Sequence, residues 1–124
     1  MGWWVYVVRC ADGTLYTGVA ARLLARLREH NADDRRAARY TRGRRPVALH
    51  AARRCADRGE ALRLERAVKR LPRMRKAALA GADGWLSADD ALRVAEAEEG
   101  TGAAADAPPG SDEQSAAHLR GALT

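Results

Sequence analysis

Phenylalanine is missing from this 124-residue chain, and all aromatics together make up only 5% of it. The 47% hydrophobic content therefore leans on alanine, which buries little area per side chain. Two cysteines, Cys10 and Cys55, are too few for a disulfide framework and have no metal-ligand spacing. Both stand in apolar strand-like contexts, so buried free thiols and a cytoplasmic setting are expected. Long apolar runs are lacking too. The run from Trp3 to Val8 is too short for a signal-peptide core or a membrane span, and no membrane association is expected. The length suits one domain and excludes two full-sized ones.

Charge is present in excess but unevenly placed. Residues 1–80 hold 20 Lys and Arg against seven Asp and Glu, a net +13, whereas residues 81–124 hold two against nine, a net −7. Two units follow from this contrast, a basic domain over 1–80 and an acidic extension over 81–124. The basic unit is expected to attract polyanions, nucleic acid foremost. A surface made arginine-rich by compositional bias is the alternative reading of the same charge. The acidic extension is a candidate electrostatic screen that folds over the basic domain and competes with nucleic acid; a solubilising or vestigial extension is the alternative reading.

Trp3 to Cys10 and Thr14 to Ala20 read as two strands joined by the turn Ala11-Asp12-Gly13, with Gly13 at a left-handed position. A three-residue loop pairs Val8 with Tyr16 and Tyr6 with Gly18. Both tyrosines then share one face, with open space over Gly18 for a ligand or backbone. Helical spacing follows from Arg22 to about Asn31, with Leu23, Leu24 and Leu27 on one side and Arg22, Arg26 and His30 along a neighbouring face. Gly43 and Pro46 argue for an ordered basic loop over residues 32–46. Val47 to Cys55 is a third strand. A second helix is expected from about Gly59 to Leu71, interrupted by Pro72, with a shorter one over residues 73–80. Ser87 is the expected N-cap of a short helix over about 88–98. The low-complexity stretch from Gly100 onward is expected to be disordered.

Four residues along this scaffold stand at spacings that suit phosphodiester chemistry. They are Tyr6 in Val5-Tyr6-Val7, Tyr16 in Tyr16-Thr17-Gly18, and Arg26 and His30 four residues apart. Glu65 follows on the second helix. With the run Tyr40-Thr41-Arg42-Gly43-Arg44-Arg45-Pro46 and Lys69 four residues beyond Glu65, this ordered set resembles the GIY-YIG endonucleases, closest to the small single-domain bacterial type. The resemblance spans about residues 3–80. It implies a mixed α/β (α+β) fold, a three-stranded antiparallel sheet flanked by helices in the order β-β-α-β-α-α, the order also reached from the residues alone.

The resemblance further implies an endonuclease that hydrolyses DNA with one divalent ion, Mg²⁺ or Mn²⁺, at branched, nicked or single-stranded sites. Glu65 would be the metal ligand, since a hard cation prefers carboxylate oxygen. A rim glutamate paired with Lys69 is the structural alternative. Arg26 would meet the scissile phosphate through its forked donors. One tyrosine, Tyr6 or Tyr16, would take a proton while the other orients water or substrate. His30 would bond a tyrosine hydroxyl or the phosphate. Arg22, Tyr40, Arg42, Arg44, Arg45 and Lys69 are the candidate nucleic-acid contacts, suited to the backbone rather than to base edges. A separate targeting partner is compatible with so small a chain. Trp3 and Trp4 read as strand core and edge, with base stacking as the alternative, and no role falls to His50 or His118. The rival function is a nucleic-acid-binding module that keeps the scaffold without turnover. One departure stands out. The family usually holds a threonine where this chain has Ala20, and neither Ala20 nor Ala21 can cap the following helix, a loss of about 1 kcal/mol.

Overall fold

Both faces of the first strand are apolar, and both are covered. The computed structural model describes residues 2–106, the side chains of 101–106 excepted. It contains β1 (Trp3–Arg9), β2 (Leu15–Ala20), α1 (Leu23–Ala32), α2 (Arg39–Arg42), β3 (Ala48–Cys55), α3 (Arg58–Lys69), α4 (Arg73–Ala77), β4 (Leu86–Ser87) and α5 (Ala88–Asp106). All neighbouring strands are antiparallel, in the order β2-β1-β3-β4. The fold is thus mixed α/β, with the three expected strands and a two-residue fourth at the β3 edge.

On one face, Trp4, Tyr6 and Val8 pack with Leu23 and Leu27 of α1 and Ala91 and Ala95 of α5. On the other, Val5 and Val7 pack with Ala61 and Val68 of α3 and with Trp85. An apolar strand without polar alternation is what a sheet covered on both sides requires. Cys10 and Cys55 are free and buried, as expected.

The hairpin follows the three-residue register. Val8 lies opposite Tyr16 and Tyr6 opposite Gly18. The Cys10 amide donates to the Thr14 carbonyl at 2.8 Å, and Gly13 has φ 85°. Three expectations need correction. Residues 39–42 form one helical turn, α2, where Gly43 and Pro46 suggested loop throughout. Those residues end the turn rather than prevent it. Helix α5 runs past residue 98 to Asp106, with its Asp90 amide 3.4 Å from the expected cap Ser87. Above all, the segment after residue 80 is not appended to the basic domain. Its β4 pairs with β3, and Ala91 and Ala95 are fully buried in the core. Alanines read as low-area residues turn out to be what lets α5 approach the sheet closely. The expected disorder and the electrostatic screen over 107–124 fall outside the described residues.

Candidate active site

Tyr6 is 1% exposed, and its ring lies over the missing side chain of Gly18: a Cβ there would stand 2.4 Å from the Tyr6 hydroxyl. The space expected for a ligand is filled by Tyr6 itself. Its hydroxyl is 2.7 Å from His30 Nε2, and His30 Nδ1 is 2.8 Å from the Thr41 hydroxyl. The Thr41 hydroxyl donates to the Ala38 carbonyl at 3.0 Å, so it accepts from His30 Nδ1–H. That assignment leaves Nε2 as an acceptor, and Tyr6 O–H donates to it. The result is a directed chain from β1 through α1 to α2.

Burial dominates the protonation of this pair. His30 has no solvent exposure, and desolvation, with Arg26 and Arg45 nearby, lowers its pKa to about 4. Burial likewise raises the Tyr6 pKa well above its usual 10, against the opposing charge of Arg26. Both groups are therefore neutral at neutral pH. Because the folded pKa of His30 lies below its ordinary 6.5, the unfolded chain binds more protons between those values. The contribution, about 3 kcal/mol, is complete above pH 6.5 and lost as pH falls to about 4. Urea unfolding across that window should give a slope that His30→Gln removes. An equal slope in the variant would place the titrating group elsewhere.

Tyr16 is half-buried on the same face. Its ring stands edge-on to His30, centroids 5.6 Å apart, and stacks on Tyr40 at 5.7 Å. Arg26, on α1, donates from Nη1 to Glu29 Oε1 at 2.8 Å and to the Arg36 carbonyl at 2.6 Å. Glu65 stands on α3, the helix over the other face, with its side chain 17% exposed and Lys69 Nζ 3.5 Å from one oxygen. The charges of Arg26 and Glu65 both act on the Tyr6 hydroxyl. Tyr6, Tyr16 and His30 thus meet from β1, β2 and α1, with Arg26 one turn before His30, while Glu65 lies on α3 over the opposite face.

The GIY-YIG catalytic domain family matches residues 2–77. This chain belongs to the GIY-YIG family. A UPF0213 protein of Desulfotalea psychrophila is 51% identical over 77 residues, covering 62% of this chain and 69% of that protein. One from Nitratidesulfovibrio vulgaris is 46% identical over 97 residues, covering 77% of this chain and 86% of its own length. The solution structure of a Bacillus halodurans UPF0213 protein shares 36% identity with a TM-score of 0.42, over 66% of this chain and 85% of that one. Nuclease action is the function class that a GIY-YIG domain indicates.

Within the GIY-YIG domain, the candidate nucleic-acid contacts divide. Arg44 donates from Nε to Asp12 at 3.1 Å and lies 4.0 Å over the Tyr40 ring. Arg45 donates to the His30 carbonyl and to Asp34, each at 2.6 Å. Arg42 reaches the Ala37 carbonyl at 3.5 Å. Arg44 and Arg45 hold this segment onto the hairpin and α1, whereas Arg42 bonds within it. Arg22 is exposed at the start of α1, Tyr40 is 37% exposed, and Lys69 pairs with Glu65. Arg63 and Arg66 are exposed on α3, Arg70 is exposed at its C-cap, and Arg73 and Arg75 are exposed on α4. Among the described residues no cluster of three or more His, Cys, Asp or Glu is arranged for a metal. No described helix is long and apolar enough to cross a membrane.

Three contributors escaped the sequence reading. Thr41 was visible only as part of a motif, Glu29 looked like an ordinary surface acid, and Glu99 stood in an acidic run. Only Glu29 carried a local signal, its i+3 spacing from Arg26.

Proposed function

We propose that this protein is a divalent-metal-dependent endonuclease that hydrolyses phosphodiester bonds in DNA, directed by branched, nicked or single-stranded structure more than by sequence. The observation that carries the reading is the buried, neutral chain Tyr6–His30–Thr41, with the Tyr16 ring against His30 and the charge of Arg26 acting on the Tyr6 hydroxyl. A phosphodiester needs an activated water, charge stabilisation at phosphorus and help for the leaving oxygen. Arg26 stabilises the phosphate, with Tyr6 and His30 fixing the wall beside it. Tyr16, the less buried tyrosine, is the candidate base, which would accept a proton from water as its phenolate, the form that a nearby cation favours. Glu65 offers the carboxylate oxygen that Mg²⁺ or Mn²⁺ prefers, and its half-buried position suits a ligand whose other places go to water and phosphate. Such an ion, when bound, would supply positive charge to the phosphate and lower the pKa of a coordinated water. Exposed arginines of α3 and α4, beginning beside Glu65, suit the DNA backbone.

One observation favours a second reading, a DNA-binding module without turnover. Arg26 is already bonded to Glu29 and the Arg36 carbonyl, and a phosphate must share or displace those acceptors. The two readings separate in one assay. Labelled branched, nicked, single-stranded and intact duplex DNAs are incubated with the protein in Mg²⁺, Mn²⁺ or EDTA, with binding measured in parallel. Cleavage that needs metal and favours a non-duplex form is expected. Salt-sensitive binding to every DNA with no cleavage in either metal would establish the module instead.

A further inference from the structure

The first turn of α1 is not completed by its own sequence. The Arg22 side chain at the N-cap makes no capping hydrogen bond, and the first turn has no acidic residue. The Leu24 and Ala25 amides nevertheless have partners: they donate to Glu99 Oε2 at 3.0 Å and Oε1 at 3.1 Å. Glu99 is 6% exposed and comes from α5, beyond the 2–77 span that the GIY-YIG family matches. Two anchors aim it. Ala91, Ala95 and Glu99 follow at four-residue steps on one face, the two alanines buried against Leu23 and Leu27. Next to it, Glu98 forms a two-pronged pair with Arg54 of β3, whose guanidinium lies 4.6 Å over the Trp4 ring.

We propose that Glu99 is a positioning residue for the active site, setting α1 so that Arg26 and His30 meet Tyr6. A carboxylate bridging two amides satisfies orphan donors and places negative charge at the positive end of the helix. Arg26 is the fourth residue of α1, and its amide bonds to the Arg22 carbonyl at 3.1 Å. It therefore lies in the turn that frays when the cap is removed. His30 follows one turn later and carries the bond to Tyr6. The helix transmits the anchor at residues 24 and 25 to both side chains, and small displacements of such groups cost rate steeply. Glu99 touches none of the reacting atoms.

The activity arm of the test rests on the nuclease reading, and a spectroscopic arm does not. In the full chain, Glu99→Ala should lower kcat for DNA cleavage by about tenfold or more with KM within about twofold. Glu99→Gln keeps one acceptor oxygen and should recover part of the loss. In ¹⁵N NMR the His30 imidazole of the wild type should report a fixed Nδ1–H tautomer. Glu99→Ala should move it toward tautomer averaging, and Glu99→Gln less so. Folded Glu99→Ala with wild-type kcat and an unchanged His30 signature would overturn the proposal and leave Glu99 as a stability cap. If that variant does not fold, Glu99→Gln decides by the same two readouts. If the wild type cleaves no DNA, the nuclease reading fails by itself, and the His30 signature alone decides whether Glu99 positions α1.

Discussion

Replacing Glu65 by Gln is expected to reduce DNA cleavage by about a thousandfold or more while DNA affinity changes by no more than about twofold. The substitution keeps size and shape and removes charge. Its structural cost is small, because the ion pair of Glu65 with Lys69, at 3.5 Å, has a lysine with a side chain 51% exposed. Helix α3 is held by Ala61 and Val68 in the core and by the Asp57 side chain accepting from the Glu60 amide at 2.8 Å. Neither depends on residue 65. A neutral amide is a poor partner for a hard divalent cation, so the loss falls on chemistry. Single-turnover cleavage and a binding titration on the same DNA check this. Wild-type cleavage in the variant would remove Glu65 from the metal site, and joint loss of binding and cleavage would make it a contact for DNA.

The two tyrosines should separate just as sharply. Tyr16→Phe is expected to slow cleavage by about 10²- to 10⁴-fold, the range for removing a general base, with stability close to wild type. Tyr16 is half-buried, and its ring contacts with His30 and Tyr40 survive in phenylalanine. Tyr6→Phe leaves His30 Nε2 without its donor in a site with no solvent exposure, which should cost about 1–3 kcal/mol of stability. Its activity loss should be the smaller of the two, because a hydroxyl whose pKa burial pushes up so far holds its proton. Thermal unfolding and cleavage rates for both variants decide it. A larger rate loss in Tyr6→Phe would reverse the roles.

What the chain declares locally, the structure contains. The Ala11-Asp12-Gly13 turn set the pairing of Tyr6 with Gly18, and Ser87 marked the start of α5. These signals depend on neighbours in sequence, where turn chemistry and capping act. The α2 turn was hidden because Gly43 and Pro46 mark an end to regular structure without saying how much precedes them. His30 illustrates a different limit. Its spacing from Arg22 and Arg26 suggested one shared face, yet Arg22 is exposed and His30, turned about 80° from it around the helix, lies in the core. Filling the space over Gly18 with the Tyr6 ring, or assigning Thr41 to orient His30, requires contacts between elements that no local pattern encodes. Glu99 is the extreme case, since its partners lie 74 and 75 residues earlier.

That separation also orders events during synthesis. A chain made from its N-terminus has every residue of the candidate site, through Glu65, before residue 99 exists. The carboxylate that closes the first turn of α1 is therefore among the last of the site's supports to be made. A nascent chain halted between Glu65 and Glu99 would carry all the chemical groups of the site and lack the clamp on the helix that bears two of them.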